Sequence, residues 1–208
     1  MRESHSSDAR EAIHSLYGGK HGGRRMAALT RDRWIRAGLE ALDQEGFQAV
    51  SAERLARRLN VTRGSFYHHF DSREAFVRAL LAEWEADYTG RMLAHAAQGR
   101  GAQDILARYL EIAAQKRPGR EVAIRAWALQ DPLVAEFQDR VDRTRLSFAL
   151  SVCRPLARSE VEAERIARAV HLCLIGGQQA GDRRDPAAFG ALLQGVAALV
   201  GAGLDPRD

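Results

Sequence analysis

The stretch that most constrains this chain runs from Ser51 to Phe70, SAERLARRLNVTRGSFYHHF. Ser51 is a favoured N-cap residue, and Ala52, Leu55, Ala56 and Leu59 follow at spacings of three and four. That spacing predicts a short helix with one apolar face. Asn60 tolerates the left-handed conformation that a helix stop and sharp turn require. Val61 fills the corner, and Thr62 caps a second helix with Phe66 and Phe70 on one face. Arg63, Gly64, Ser65, Tyr67 and His68 are left on the others. A buried helix followed by such a helix has the layout of a helix-turn-helix, whose second helix enters the major groove of DNA N-terminus first. An αα-hairpin with a merely solvated outer face has the same pattern.

The residues around this pair narrow the choice. Thr30 opens a helix ending at Gly46, with Phe47 beside it. Ser51-x-x-x-Leu55-Ala56-x-x-Leu59-x-Val61, Gly64-Ser65-Phe66-Tyr67-x-His69-Phe70 and Glu74 follow. From Thr30 to Phe76, about a quarter of the chain, the sequence resembles the N-terminal domain of the tetracycline-repressor (TetR) family of bacterial transcriptional regulators. Asn60 departs from the family's usual Gly, and Asp71 stands where a basic residue is common. The resemblance implies a DNA-binding regulator, dimeric through its C-terminal helices and controlled by a small-molecule effector. It also implies that Tyr67 stands near base and phosphate, His68 and His69 near phosphates, and Arg73 near the DNA backbone.

Composition agrees with a folded chain: 208 residues, 46% hydrophobic and 28% charged, describe an ordinary globular protein. The first 80 residues carry 14 Lys+Arg against 10 Asp+Glu, and the remainder 17 against 17. The positive excess therefore accompanies the helix-turn-helix, where phosphate binding needs it. Residues 1–29 read as a flexible basic arm, with Gly18, Gly19, Gly22 and Gly23 around Lys20 and His21 ahead of Arg24 and Arg25. Such an arm either lies along DNA or has no role. Cys153 and Cys173 sit in apolar helical patterns and read as reduced core residues of a cytoplasmic protein. Neither a signal peptide nor a membrane span is expected; the apolar run from Phe189 to Leu204 is interrupted by Gln194 and short of ~20 apolar residues.

The expected fold is all-α: a three-helix DNA-binding domain over residues 30–75, then a helical effector-binding and dimerisation domain over 76–208. Asp71 or Ser72, with Glu74 reaching back, predicts a capping box. The helix it opens runs from about Arg73 to Gln98 and carries Phe76, Leu80, Trp84, Tyr88, Met92 and His95 near one side. Gly99-Arg100-Gly101 and Pro118-Gly119 punctuate the following helices. Asp131-Pro132, Ser159-Glu160-Val161-Glu162 and Asp185-Pro186 open the later ones. Small residues and apolar surface on more than one face of the last two helices fit a four-helix bundle between two subunits; an intramolecular core would use the same residues.

Arg63 is the expected base reader, since a guanidinium grips guanine bidentately. Ser51 and Thr62 offer hydroxyls to phosphates, and Gly64 and Ser65 let the backbone approach the groove. His69 has the alternative reading of a half-buried structural residue. The effector candidates are Trp84, Tyr88, Met92, His95, Tyr109, Trp127, Gln130, Phe137, His171 and Gln178, around a largely apolar ligand. Plain core packing accounts equally for an aromatic stripe of this kind. No G-x-S-x-G, H-E-x-x-H, paired metal-ligand spacing or phosphate-binding glycine loop accompanies them, so neither an enzyme nor a metal or cofactor site is expected. The competing reading of the function is an architectural or cell-division DNA-binding protein of the same fold without an effector.

Overall fold

The computed structural model describes residues 30–180 and 186–203. The expected arm at 1–29 and the Asp185 cap lie outside them. The described residues form α-helices joined by turns and a 3-10 turn (Phe47–Ala49), with no strand among them: α1 (Arg31–Glu45), α2 (Ala52–Leu59), α3 (Arg63–Tyr67), α4 (Arg73–Glu85), α5 (Arg91–Ala96), α6 (Ala102–Gln115), α7 (Pro118–Ala128), α8 (Pro132–Cys153), α9 (Glu160–Ala180) and α10 (Pro186–Gly203).

Thr30 caps α1 by accepting from the Arg33 N–H, and Gly46 ends it at φ +80°. Ser51 Oγ accepts from the Arg54 N–H to start α2, and Asn60 ends α2 in the left-handed region at φ 55°. The α2–α3 corner therefore rests on local chemistry. Its core is aromatic. Phe66 is fully buried with Trp34 edge-on at 5.3 Å, Phe76 at 5.3 Å and Phe70 at 5.2 Å. Such pairs contribute about 0.5–1.5 kcal/mol each beyond area burial. At the crossing of α1 over α4, a Cβ on Gly38 would sit 2.6 Å from Leu80 Cδ1, so any larger residue there forces Leu80 and Phe76 to shift.

Ser72 caps α4 through the Ala75 N–H. Glu74 does not reach back as expected. It pairs with Arg78 one turn on instead, because it stands at the second helical position rather than the third that a capping box requires. The helix continues through a widened π-helical turn, Ala86–Gly90, into α5 and stops at Ala96 rather than Gln98. At 1.5 Å per residue it spans ~36 Å. The π turn has a visible cause: Arg145 of α8 donates to the Tyr88 carbonyl at 2.9 Å and to Thr89 Oγ1 at 3.1 Å. A side chain inserted into the ladder opens it.

The apolar cluster that begins with Trp34 and Phe66 runs without a break through Trp84, Ile124 and Trp127 to Val141. A second cluster, with Met92, Leu106, Tyr109, Val170 and Phe189, joins α5, α6, α8, α9 and α10. Cys153 is buried as expected, but Cys173 is exposed. The apolar pattern of α9 covers two faces, and Cys173 lies on the outer one with Val161 and Leu172, both more than half exposed. No helix among the described residues is long and apolar enough to cross a membrane.

Candidate nucleic-acid interface

On α3, burial of Phe66 turns the rest of the helix outward. Arg63, Gly64 and His68 are exposed, Tyr67 is 48% exposed, and Ser65 and His69 are half-buried. Arg63 and Tyr67 are preset toward each other. The guanidinium donates to Tyr67 Oη at 3.2 Å and stands 5.8 Å from the ring centroid, leaving the phenol's own O–H as a donor. That hydrogen bond is the main reason the guanidinium is held still more firmly in its charged form. Thr62 occupies the N-cap of α3, but its side chain makes no capping bond. Its hydroxyl is thus not consumed by the cap, contrary to expectation. Ser51 differs, since its oxygen already serves α2.

Gly64 carries a clearer signal. A Cβ there would meet only Thr62 Oγ1, at 3.7 Å, and its φ is not positive. Neither packing nor backbone strain calls for glycine, yet glycine in a helix costs about 0.5–1 kcal/mol relative to alanine.

The cations around α3 are paired to different degrees. On α2, Arg54 and Arg58 share Glu45, and Arg57 pairs with Glu53. Arg73, at the start of α4, lies 3.9 Å from Asp131 and 5.9 Å over Trp127, so its charge is drawn partly toward the body. Arg31 stands over the Phe70 ring at 5.1 Å.

Two ionic clusters that sequence reasoning missed tie this end to the rest. Asp43, at the C-terminal end of α1, accepts from Arg120 at 2.8 and 2.7 Å and from Arg117 at 3.1 Å, both on or beside α7. Deeper in, Arg145 and Glu121, 3% and 1% exposed, pair at 2.8 and 3.0 Å, and Glu121 also accepts from Trp84 Nε1 at 3.1 Å. A signal existed for Arg145: it follows Phe137 and Val141 at four-residue steps and precedes Ala149 by the same step, on the buried stripe of α8. Asp43 gave none, because its partners are more than 70 residues away.

Residues 35–80 match the family model described as bacterial regulatory proteins, tetR family. Over this stretch the chain is similar to the DNA-binding region of the TetR family. The transcriptional regulator AcuR of Cereibacter sphaeroides is 36% identical over 67 residues, 32% of this chain and 30% of AcuR. The HTH-type transcriptional repressor NemR of Escherichia coli is 35% identical over 82 residues, 38% of this chain and 41% of NemR. The alignments thus span less than half the length of these relatives. The fold likeness is wider. Reduced E. coli NemR superposes with a TM-score of 0.65 at 20% identity over 82% of this chain and 94% of its own. Salmonella enterica GusR gives 0.64 at 21% over 84% and 94%. The TetR-family match covers the helix-turn-helix and the first part of α4, where the outward residues of α3 lie.

The ten effector candidates are dispersed. Trp84 serves the Glu121–Arg145 pair, and Trp127 stacks on Phe47 at 6.0 Å within the first apolar cluster. The Tyr88 hydroxyl accepts from the Arg117 N–H at 3.3 Å, and its ring faces Lys116 and Arg120. Met92 and Tyr109 fill the second cluster, and the Arg140 guanidinium lies 4.2 Å over the Phe137 ring. His171 is buried with Nε2 3.6 Å from Asp142, and Gln178 is buried with Oε1 unpartnered. His95 and Gln130 are exposed. Three clefts open beside these residues. One of about 910 Å³ lies between the end of α1 and α7, one of about 620 Å³ between α7, α8 and α9, and one of about 500 Å³ at Tyr88. Apart from Tyr88 in the smallest, none of the ten lines these three.

Proposed function

We propose that this chain is a DNA-binding transcriptional regulator acting in the cytoplasm as a homodimer. In this reading it is a repressor that leaves a pseudo-palindromic operator when a small molecule binds the helical body. The observation that carries the reading is the outer face of α3. It holds an exposed arginine pre-bonded to a tyrosine, a glycine the fold does not need, and a cap hydroxyl left unused. Arg63 reads a base; Ser51, Thr62, Tyr67, His68, His69 and Arg73 position the backbone; Gly64 and Ser65 allow close approach. The regulatory names of AcuR and NemR support the same class.

Dimerisation is supported by the exposed apolar side chains of α9 and α10, Val161, Leu172 and Leu192. A two-fold dimer presents two recognition helices to half-sites about one DNA turn, ~34–36 Å, apart. The helix from Arg73 to Ala96 begins beside α3 and enters the body, so a ligand favouring one setting of it changes the spacing of the two α3 helices. Operator then weakens ligand binding by the same factor that ligand weakens operator binding.

Selection of bound sequences from random duplexes, with footprinting and light scattering, tests the reading. The expected result is a few short two-fold-symmetric sites bound by a species of two chains. A monomer with undiminished operator affinity contradicts it.

A further inference from the structure

Apolar burial holds α1 against its neighbours through Trp34, Ile35, Leu39 and Leu42. Such burial is non-directional, so it keeps a helix in place without fixing the angle at which it lies. At Gly38, α1 crosses α4 with Leu80 and Phe76 only 2.6 and 2.8 Å from where a Cβ would stand, a close contact about which one helix can turn on the other. Asp43 follows ~7.5 Å farther along the axis, at 1.5 Å per residue, and there the directional contacts begin. Its carboxylate, 7% exposed, accepts at both oxygens, from Arg120 at 2.8 and 2.7 Å and from Arg117 at 3.1 Å. A forked arginine–carboxylate pair adds geometric specificity as well as energy. The same arginines reach the long helix. The Arg120 guanidinium lies 5.1 Å over the Tyr88 ring, and the Arg117 N–H donates to Tyr88 Oη at 3.3 Å. Tyr88 belongs to the π turn, so Asp43 joins α1, α7 and that turn at one point.

The outward face of α3 follows α1, because Phe66 packs edge-on against Trp34 at 5.3 Å. A swing of the C-terminal end of α1 therefore tilts the face that carries Arg63. We propose that Asp43 is a positioning residue for DNA recognition: its ion pairs with Arg117 and Arg120 fix the angle of α1 on the helical body, and thereby the spacing of the two α3 helices in a dimer. Asp43 touches no DNA in this role and acts through α1. The inference rests on reading the chain as a two-fold dimeric DNA binder, and it adds a determinant of operator spacing that lies outside α3.

The first measurement needs no DNA. Spin labels at His68→Cys on α3 and Ser147→Cys on α8, in a full-length Cys173→Ser chain diluted with unlabelled chain, report a distance within one chain; all three positions are exposed. A single narrow distribution is expected, and Asp43→Asn is expected to widen it at least twofold. The second measurement uses the unlabelled chain on paired half-sites whose separation is varied by single base pairs. The unaltered chain is expected to prefer one separation by about tenfold over its neighbours, and Asp43→Asn to flatten that preference below about threefold. Binding to an isolated half-site and to random duplex is expected to stay as it was. Arg117→Gln removes a side chain that is 70% exposed, and it is expected to act in the same direction to a lesser extent; it carries the test if Asp43→Asn does not fold. An unchanged distance distribution, an unchanged separation preference, or an equal loss on every duplex including the isolated half-site overturns the assignment. Failure of the unaltered chain to select any operator overturns the reading as a dimeric regulator instead, and the spin-label distances still decide whether Asp43 sets the angle of α1.

Discussion

Arg63 and Arg145 are the same residue in opposite settings. Arg63 stands on the outer face of α3 with one hydrogen bond, to a tyrosine that is itself half exposed. Arg145 is buried, and its guanidinium makes bonds to Glu121, Thr89 and the Tyr88 carbonyl. The first charge remains available to an incoming phosphate or base. The second is fully used in holding α4, α7 and α8 in register around the π turn. Burial and partner count, not residue type, separate the charge that recognises from the charge that builds.

The largest expected effect breaks the buried side of this contrast. Glu121→Gln leaves Arg145 without its counter-ion, and removing one member of a buried pair costs about 3–5 kcal/mol, read from urea melts. Glu121→Met with Arg145→Met should cost less than either change alone. A cost below about 1 kcal/mol for Glu121→Gln would place this pair among ordinary surface bridges.

A smaller effect follows at His171. Burial is the largest influence and pushes its imidazole below the ordinary value; Asp142 opposes this, and Arg145 and Arg125 reinforce it. The unfolded chain therefore binds the proton more readily than the folded one. Stability should fall as pH drops below the ordinary histidine value and level off below the lowered one, with a slope of at most about 1.4 kcal/mol per pH unit. His171→Asn should remove that limb of the stability–pH curve.

The smallest effects sharpen the exposed side. Arg63→Ala should change stability by no more than about 0.5 kcal/mol, as expected of a surface position. Gly64→Ala should raise it by about 0.5–1 kcal/mol while weakening operator binding. If Gly64→Ala leaves operator affinity intact, nothing approaches the helix backbone there.

Whatever local chemistry decides was legible in the sequence. Thr30, Ser51, Asp131 and Ser159 cap helices with the bonds their residue types predict, and Asn60 takes the left-handed turn. The aromatic core around Phe66 follows from spacing alone. Long-range pairing was not legible. Nothing near Asp43 announces Arg117 and Arg120, and no local signal marks the π turn, whose cause lies on α8. Cys173 was misplaced because a helix with two apolar faces does not say which one is covered. Among the effector candidates, Trp84, Tyr88, Trp127 and Phe137 share one apolar cluster and Met92 and Tyr109 another, because an aromatic stripe records burial.

The most direct test of α3 as the reading element is fluorescence anisotropy of Arg63→Ala and Arg73→Ala on the selected operator and on random duplex, across a salt series. Arg63→Ala is expected to lose about 1–3 kcal/mol on the operator and to relax preference at one position per half-site, with little change on random DNA. Arg73→Ala should weaken both duplexes alike and flatten the salt dependence. Equal losses on operator and random DNA for Arg63→Ala would contradict base reading by α3.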